Sequence, residues 1–254
     1  MKKVNLNKIM QNGKAMYLAY DQGLEHGPAS DFNDKNVDPL YILDVAKKGK
    51  FNAIVYQKGI VEKYLSEIKK SKVPLILKLN GKTKLAGGEP ISAQIASVDD
   101  ARKLGASAVG FTIYIGSSYE SQILEEFSKI EREAHKYGLP VVTWIYPRGK
   151  AVAGKPAGEL LQYAARVALE IGADIVKVHW NGNEDDLKKA VKAAGRTKVV
   201  VAGGLKAEGP VFLQMVKNIM KTGASGLAVG RNIWQSDNPL ELSKSVRKII
   251  NDNN

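Results

Sequence analysis

The sequence has no cysteine. Disulfides and thiolate metal sites are therefore excluded, which argues against a small cross-linked secreted domain and fits a reducing cytoplasm. Histidine is scarce too: His26, His135 and His179 are the only three, and their separations match no metal-ligand pattern. No apolar run approaches the length that spans a bilayer, and the opening Met1-Lys2-Lys3-Val4-Asn5-Leu6-Asn7-Lys8 lacks the features of a secretory signal. The chain thus reads as cytoplasmic, with no membrane partner. Also missing is the G-x-G-x-x-G turn of a dinucleotide-binding sheet; Asp21-Gln22-Gly23-Leu24-Glu25-His26-Gly27-Pro28 follows the first apolar run instead.

Positive charge is plentiful, at a formal +12. A polyanionic partner has to be considered, but the lysines fall in scattered pairs such as Lys47-Lys48, Lys69-Lys70 and Lys188-Lys189, not in one basic stripe with interleaved aromatics. Solvated helix faces are expected, with no nucleic acid bound; small anionic metabolites remain compatible.

Short apolar, β-branched runs alternate with longer amphipathic stretches throughout, the pattern of βα units and a parallel sheet. The runs are Ala15 to Asp21, Ala53 to Tyr56, Pro74 to Leu79, Ala108 to Ile113, Val141 to Tyr146, Asp174 to His179, Lys198 to Gly203 and Gly226 to Gly230. Helices are expected to open at Asp38-Pro39, at Ser97-Val98-Asp99-Asp100 and at Glu208-Gly209-Pro210. Eight right-handed crossovers close most naturally into a barrel, so the expected fold is α/β, a single (β/α)₈ domain over residues 1–254 with a frayed tail at 251–254.

A barrel of this kind carries its site at the C-terminal strand ends, which here present Asp21, Lys58, Asn80, Tyr146, Lys177, His179, Gly203-Gly204 and Gly230-Arg231. Lys177 interrupts the apolar strand Ile175-Val176-Lys177-Val178, and alternation sets Ile175, Lys177 and His179 on one face. An inward ammonium loses hydration and its pKa falls, which makes a nucleophile toward carbonyls; snorkelling to the mouth or a structural ion pair is the competing account. Tyr146, sharing a face with Trp144, brings a phenol to the same mouth. Asp21 either faces the lysine or caps the next turn. Small residues in Ala202-Gly203-Gly204 and Gly230-Arg231 suit phosphate, because backbone N–H groups can approach an anion and the guanidinium supplies a fork.

Taken together, LAYDQGLEHGPA, VPLILKLNGKT, LGASAVGFTIYIGS, YPRGK, ALEIGADIVKV, VAGGLK and ASGLAVGRNIWQ closely resemble the archaeal-type class I fructose-bisphosphate aldolases, from position 18 to about 235. The resemblance implies a Schiff-base lysine at Lys177, a proton donor at Tyr146 and a substrate-site carboxylate at Asp21. It implies substrate contacts from His26, Trp144 and Arg148, and phosphate contacts from Gly203, Gly204, Gly230 and Arg231. It further implies a phosphorylated sugar as partner, no metal or other cofactor, and homo-oligomers, often rings or double rings. Gln22 stands where histidine is frequent and His179-Trp180 where a basic and a tyrosine-like residue are usual, two departures that bear on sugar preference and on the contacts at the open end. A sister synthase making 2-amino-3,7-dideoxy-D-threo-hept-6-ulosonate shares the lysine, the tyrosine and the YPRG turn. A non-catalytic nucleic-acid-binding barrel and a phosphate isomerase working by acid–base chemistry alone are the rivals from other classes.

Overall fold

A computed structural model describes residues 3–27 and 31–252. Eight parallel strands close into a barrel, here β1 (Ala15–Ala19), β2 (Ala53–Gln57), β3 (Leu75–Lys78), β4 (Ala108–Ile115), β5 (Val141–Pro147), β6 (Ile175–Val178), β7 (Lys198–Ala202) and β8 (Gly226–Val229). Neighbours in sequence are neighbours in the sheet, and β8 returns to β1 with Ala15 opposite Gly226 and Leu18 opposite Val229. All eight expected runs form strands. Their polar or glycine ends, Asp21, His179, Gly203 and Gly230 among them, fall just beyond the last ladder residue and form the loops of the mouth.

The strands are buried on both faces, which is why they read as nearly unbroken apolar runs. Their outer cover comes from helices with one apolar stripe. The helix Glu120–Lys136 buries Ile123, Phe127, Ile130 and Ala134 at spacings of four, three and four, the period of one helical face. Starts lie where the sequence places them. Asp38 accepts from Leu40 N ahead of Pro39–Lys48, Ser97 and Asp100 close a reciprocal capping box on Val98–Leu104, and Glu208 precedes Gly209–Lys221. The last helix, Pro239–Asp252, runs through the stretch expected to fray; Asn253 and Asn254 lie outside the described residues, as do Met1, Lys2 and the loop segment 28–30. None of the described helices is long and apolar enough to cross a membrane.

At the opposite end from the mouth, His135 bridges two carboxylates, with Nδ1 2.6 Å from Glu131 and Nε2 2.9 Å from Asp174. Asp174 also accepts from Val141 N, so the imidazole ties the end of one helix to the starts of β5 and β6. The bond to Asp174 raises the His135 pKa above its ordinary 6.5, against the opposing effect of burial. A raised folded-state pKa contributes stability that is complete below the unfolded value and fades as pH rises through the folded one. His135→Gln should therefore lower unfolding free energy by about 1–3 kcal/mol at about pH 6, with a smaller gap at about pH 9. Urea denaturation of both proteins at the two pH values measures that gap; one that widens with pH would refute the assignment.

Candidate active site

At the C-terminal mouth lies a cavity of about 450 Å³. Its wall contains Lys177, Tyr146, Asp21, Gln22, His26, Trp144, Arg148, His179, Ala202, Gly203, Gly204, Gly230 and Arg231, all of them marked in the sequence. Residues from β1 and its loop, β5, β6, β7 and β8 thus converge, although they span more than two hundred positions of the chain.

Register explains the central group. Trp144 of β5 stands opposite Lys177 of β6, so the two inward side chains are neighbours, and the Lys177 ammonium lies 5.2 Å from the indole centroid. Lys177 is only 8 % exposed and makes no ion pair among the described residues, so it neither snorkels nor serves as a structural salt bridge. Burial lowers its pKa from the lysine value, with Asp21 and Glu25 pulling in the opposite direction. Tyr146 is buried, and desolvation together with the charges of Asp21 and Glu25 raises its pKa well above 10, with Arg148 opposing. The phenol therefore holds its proton at neutral pH.

The Tyr146 ring is clasped on several sides. His179 stacks on it at 4.4 Å between centroids, the Arg148 guanidinium lies 5.0 Å from its centre, and Tyr114 lies 6.5 Å away. Burial, Lys177 and Arg148 push the His179 pKa down to about 4, so this imidazole is neutral and stacks without adding charge. Asp21 precedes the short helix Gln22–His26 but makes no side-chain capping bond, and its buried carboxylate lines the cavity instead.

The opposite corner is built from backbone. Gly204 has φ of +69°, which L side chains resist, whereas Gly230 has φ of −130° and allows close approach, since a Cβ there would crowd Ala19 O and Gln22 Nε2 at 3.0 Å. Asn232 locks the corner: its Nδ2 donates to Gly203 O at 2.6 Å and Leu205 O at 3.0 Å, and its Oδ1 accepts from Ala207 N at 2.8 Å. Arg231 stands at this edge with its side chain 27 % exposed. Small residues, a guanidinium and a braced loop are what an oxyanion needs for close approach.

Two residues of the strand-end shortlist belong elsewhere. Lys58 opens the helix Lys58–Lys63 and pairs with Asp100 at 3.0 Å and Glu62 at 3.6 Å, because it falls on the helix side of the mouth. Asn80 is buried beneath the site, where it exchanges hydrogen bonds with Thr112 N and O and so staples the end of β3 to β4. Other contributors escaped the sequence reading. Glu25 lines the cavity one helical turn after Asp21, a four-residue spacing that was visible. Lys78 is fully buried, donates to Asn80 O at 2.8 Å and Oδ1 at 2.9 Å, and lies 5.4 Å from the Trp144 centroid. Its signal was a second lysine inside an apolar strand, Leu75-Ile76-Leu77-Lys78. Gly110 makes the room, since a Cβ there would sit 2.6 Å from Trp144 and 3.3 Å from Lys78.

Comparison with known proteins places this arrangement among aldolases. A family model described as DeoC/LacD family aldolase matches residues 15–236. Fructose-bisphosphate aldolase class 1 of Thermoproteus tenax is 46 % identical over 96 % of this chain and 92 % of its own length, and that of Halobacterium salinarum is 44 % identical over 95 % and 92 %. An archaeal fructose-1,6-bisphosphate aldolase solved with its catalytic lysine covalently bound to the carbinolamine intermediate is 44 % identical, superimposes with a TM-score of 0.90, and is matched over 96 % of this chain and 97 % of its own.

Proposed function

The chain belongs to the DeoC/LacD family of aldolases, and from that premise we propose that it is a class I fructose-bisphosphate aldolase that works through a Schiff base on Lys177. The observation that carries the proposal is the pairing of an amine, unpaired among the described residues and disfavoured as a cation, with a phenol that keeps its proton, in one cavity. Neutral Lys177 attacks the C2 carbonyl of fructose 1,6-bisphosphate, and the carbinolamine loses water with Tyr146 delivering the proton. The iminium accepts the electron pair of the C3–C4 bond as the Tyr146 phenolate left by that transfer takes the C4 hydroxyl proton, and glyceraldehyde 3-phosphate leaves. Protonation of the enamine at C3 by Tyr146 and hydrolysis then release dihydroxyacetone phosphate and restore the amine.

The remaining assignments follow from position. Asp21 and Glu25 supply negative charge near the developing iminium. Trp144 lines the cavity with its indole ring beside the Lys177 ammonium and so bounds the space for the sugar carbons. Gly203, Gly204, Gly230 and Arg231 take the phosphate of the dihydroxyacetone half, and Gln22, Arg148 and His179 flank the open end. Because the protonated imine is the electron sink, no metal is required. Homo-oligomeric assembly of one-domain protomers belongs to the same proposal and rests on the family resemblance; cytoplasmic location belongs to it too and rests on the lack of cysteine.

The test is turnover of fructose 1,6-bisphosphate in the presence of EDTA, read as triose phosphate released. A steady rate insensitive to the chelator is expected. Loss of the rate with EDTA and its return with a divalent cation would refute the Schiff-base mechanism, and no turnover at all would remove the substrate.

A further inference from the structure

Asp31 has no part in the chemistry described above, yet its carboxylate touches two residues of the cavity wall. It is 5 % exposed. Its Oδ2 lies 2.9 Å from His26 Nδ1 and its Oδ1 3.3 Å from Arg231 NH1. Those partners come from the first and last loops of the mouth, 205 positions apart, and both line the cavity, whereas Asp31 does not. Asp31 is itself fastened: Gln235 Nε2 donates to its carbonyl oxygen at 2.6 Å, and the adjoining Phe32 stacks on Tyr20 at 5.3 Å and packs on Trp234 at 6.0 Å.

We propose that Asp31 is a positioning residue for phosphate recognition, holding the His26 ring and the Arg231 guanidinium together at the corner formed by Gly203, Gly204 and Gly230. The proposal rests on the reading of that corner as the phosphate site. The contact at Nδ1 requires a proton there, which fixes the ring and leaves Nε2 as its other hydrogen-bonding atom. Holding one arm of the Arg231 fork leaves its remaining N–H groups for an oxyanion. A carboxylate near an anion site also repels the anion, but here each oxygen is matched by a positively polarised partner, so orientation outweighs repulsion. Asparagine in its place has a single acceptor oxygen and would turn N–H donors toward His26 or Arg231, releasing one of them.

The experiment compares the full-length parent with Asp31→Asn. Inorganic phosphate is titrated calorimetrically, and half-saturation of borohydride trapping is measured with dihydroxyacetone phosphate and with dihydroxyacetone. Asp31→Asn is expected to weaken inorganic phosphate, and to raise half-saturation by the phosphorylated ketone, about tenfold. The unphosphorylated ketone and kcat for the bisphosphate should stay within about twofold. Unchanged or tighter phosphate binding, or equal losses for both ketones, would overturn the proposal. If the parent traps neither ketone, the Schiff-base reading fails while the phosphate titration still decides the role of Asp31. Nitrogen NMR of His26 in the parent, which needs no variant, is expected to show a proton on Nδ1; a bare Nδ1 overturns the proposal by itself.

Discussion

Lys177→Ala is expected to slow cleavage of fructose 1,6-bisphosphate by at least about 10⁴-fold and to take up no triose-phosphate mass on borohydride reduction. Cleavage of C3–C4 leaves an electron pair that needs an acceptor, and the protonated imine on this amine is the acceptor the site offers. Lys177→Arg should be equally inactive, because a guanidinium keeps the charge but does not add to a ketone. Full cleavage activity in Lys177→Arg would instead mean that a different nucleophile forms the covalent intermediate. The same chemistry sets a pH profile. Attack needs the neutral amine, so kcat/KM should rise with pH toward a plateau whose midpoint lies below the ordinary lysine value of 10.5, as burial of Lys177 dictates.

Tyr146→Phe should reduce kcat by about 10²–10⁴-fold and leave KM within severalfold. Phenylalanine preserves the ring that stacks on His179 and lies beside Arg148, and removes only the hydroxyl whose pKa the cavity raises. The variant should still form a borohydride-trapped adduct, more slowly, since the amine is intact. Steady-state kinetics together with the mass of the trapped protein separate these effects. A raised KM at unchanged kcat would mean that Tyr146 binds substrate and moves no proton.

Much of the barrel was legible in the chain because parallel strands buried on both faces leave an unmistakable mark: short β-branched runs, repeated eight times, with amphipathic helices between. Lys177 was legible for a related reason, since a charged residue in such a run has to be accounted for. Lys78 interrupts β3 in the same way and lies inside VPLILKLNGKT, but went unmarked because Asn80, two residues on, reads as the end of that strand. Lys58 misled for the converse reason. It lies next to a strand end, but the chain there turns directly into a helix, so the ammonium meets Asp100 on the outer layer and not the cavity.

The sequence by itself determined the alternation of strand and helix, the helix starts, the family, and most of the residues that stand at the mouth, since periodicity, capping and motif are properties of neighbouring residues. Only the tertiary structure decided that Lys177 makes no ion pair among the described residues, that His179 is a neutral plate on Tyr146, and that Asp31 joins His26 to Arg231. Tyr146 and His179 are 33 positions apart, and Asp31 and Arg231 are 200 apart. Closing the sheet brings them together, and burial sets their charge states through the loss of water, which no local pattern records.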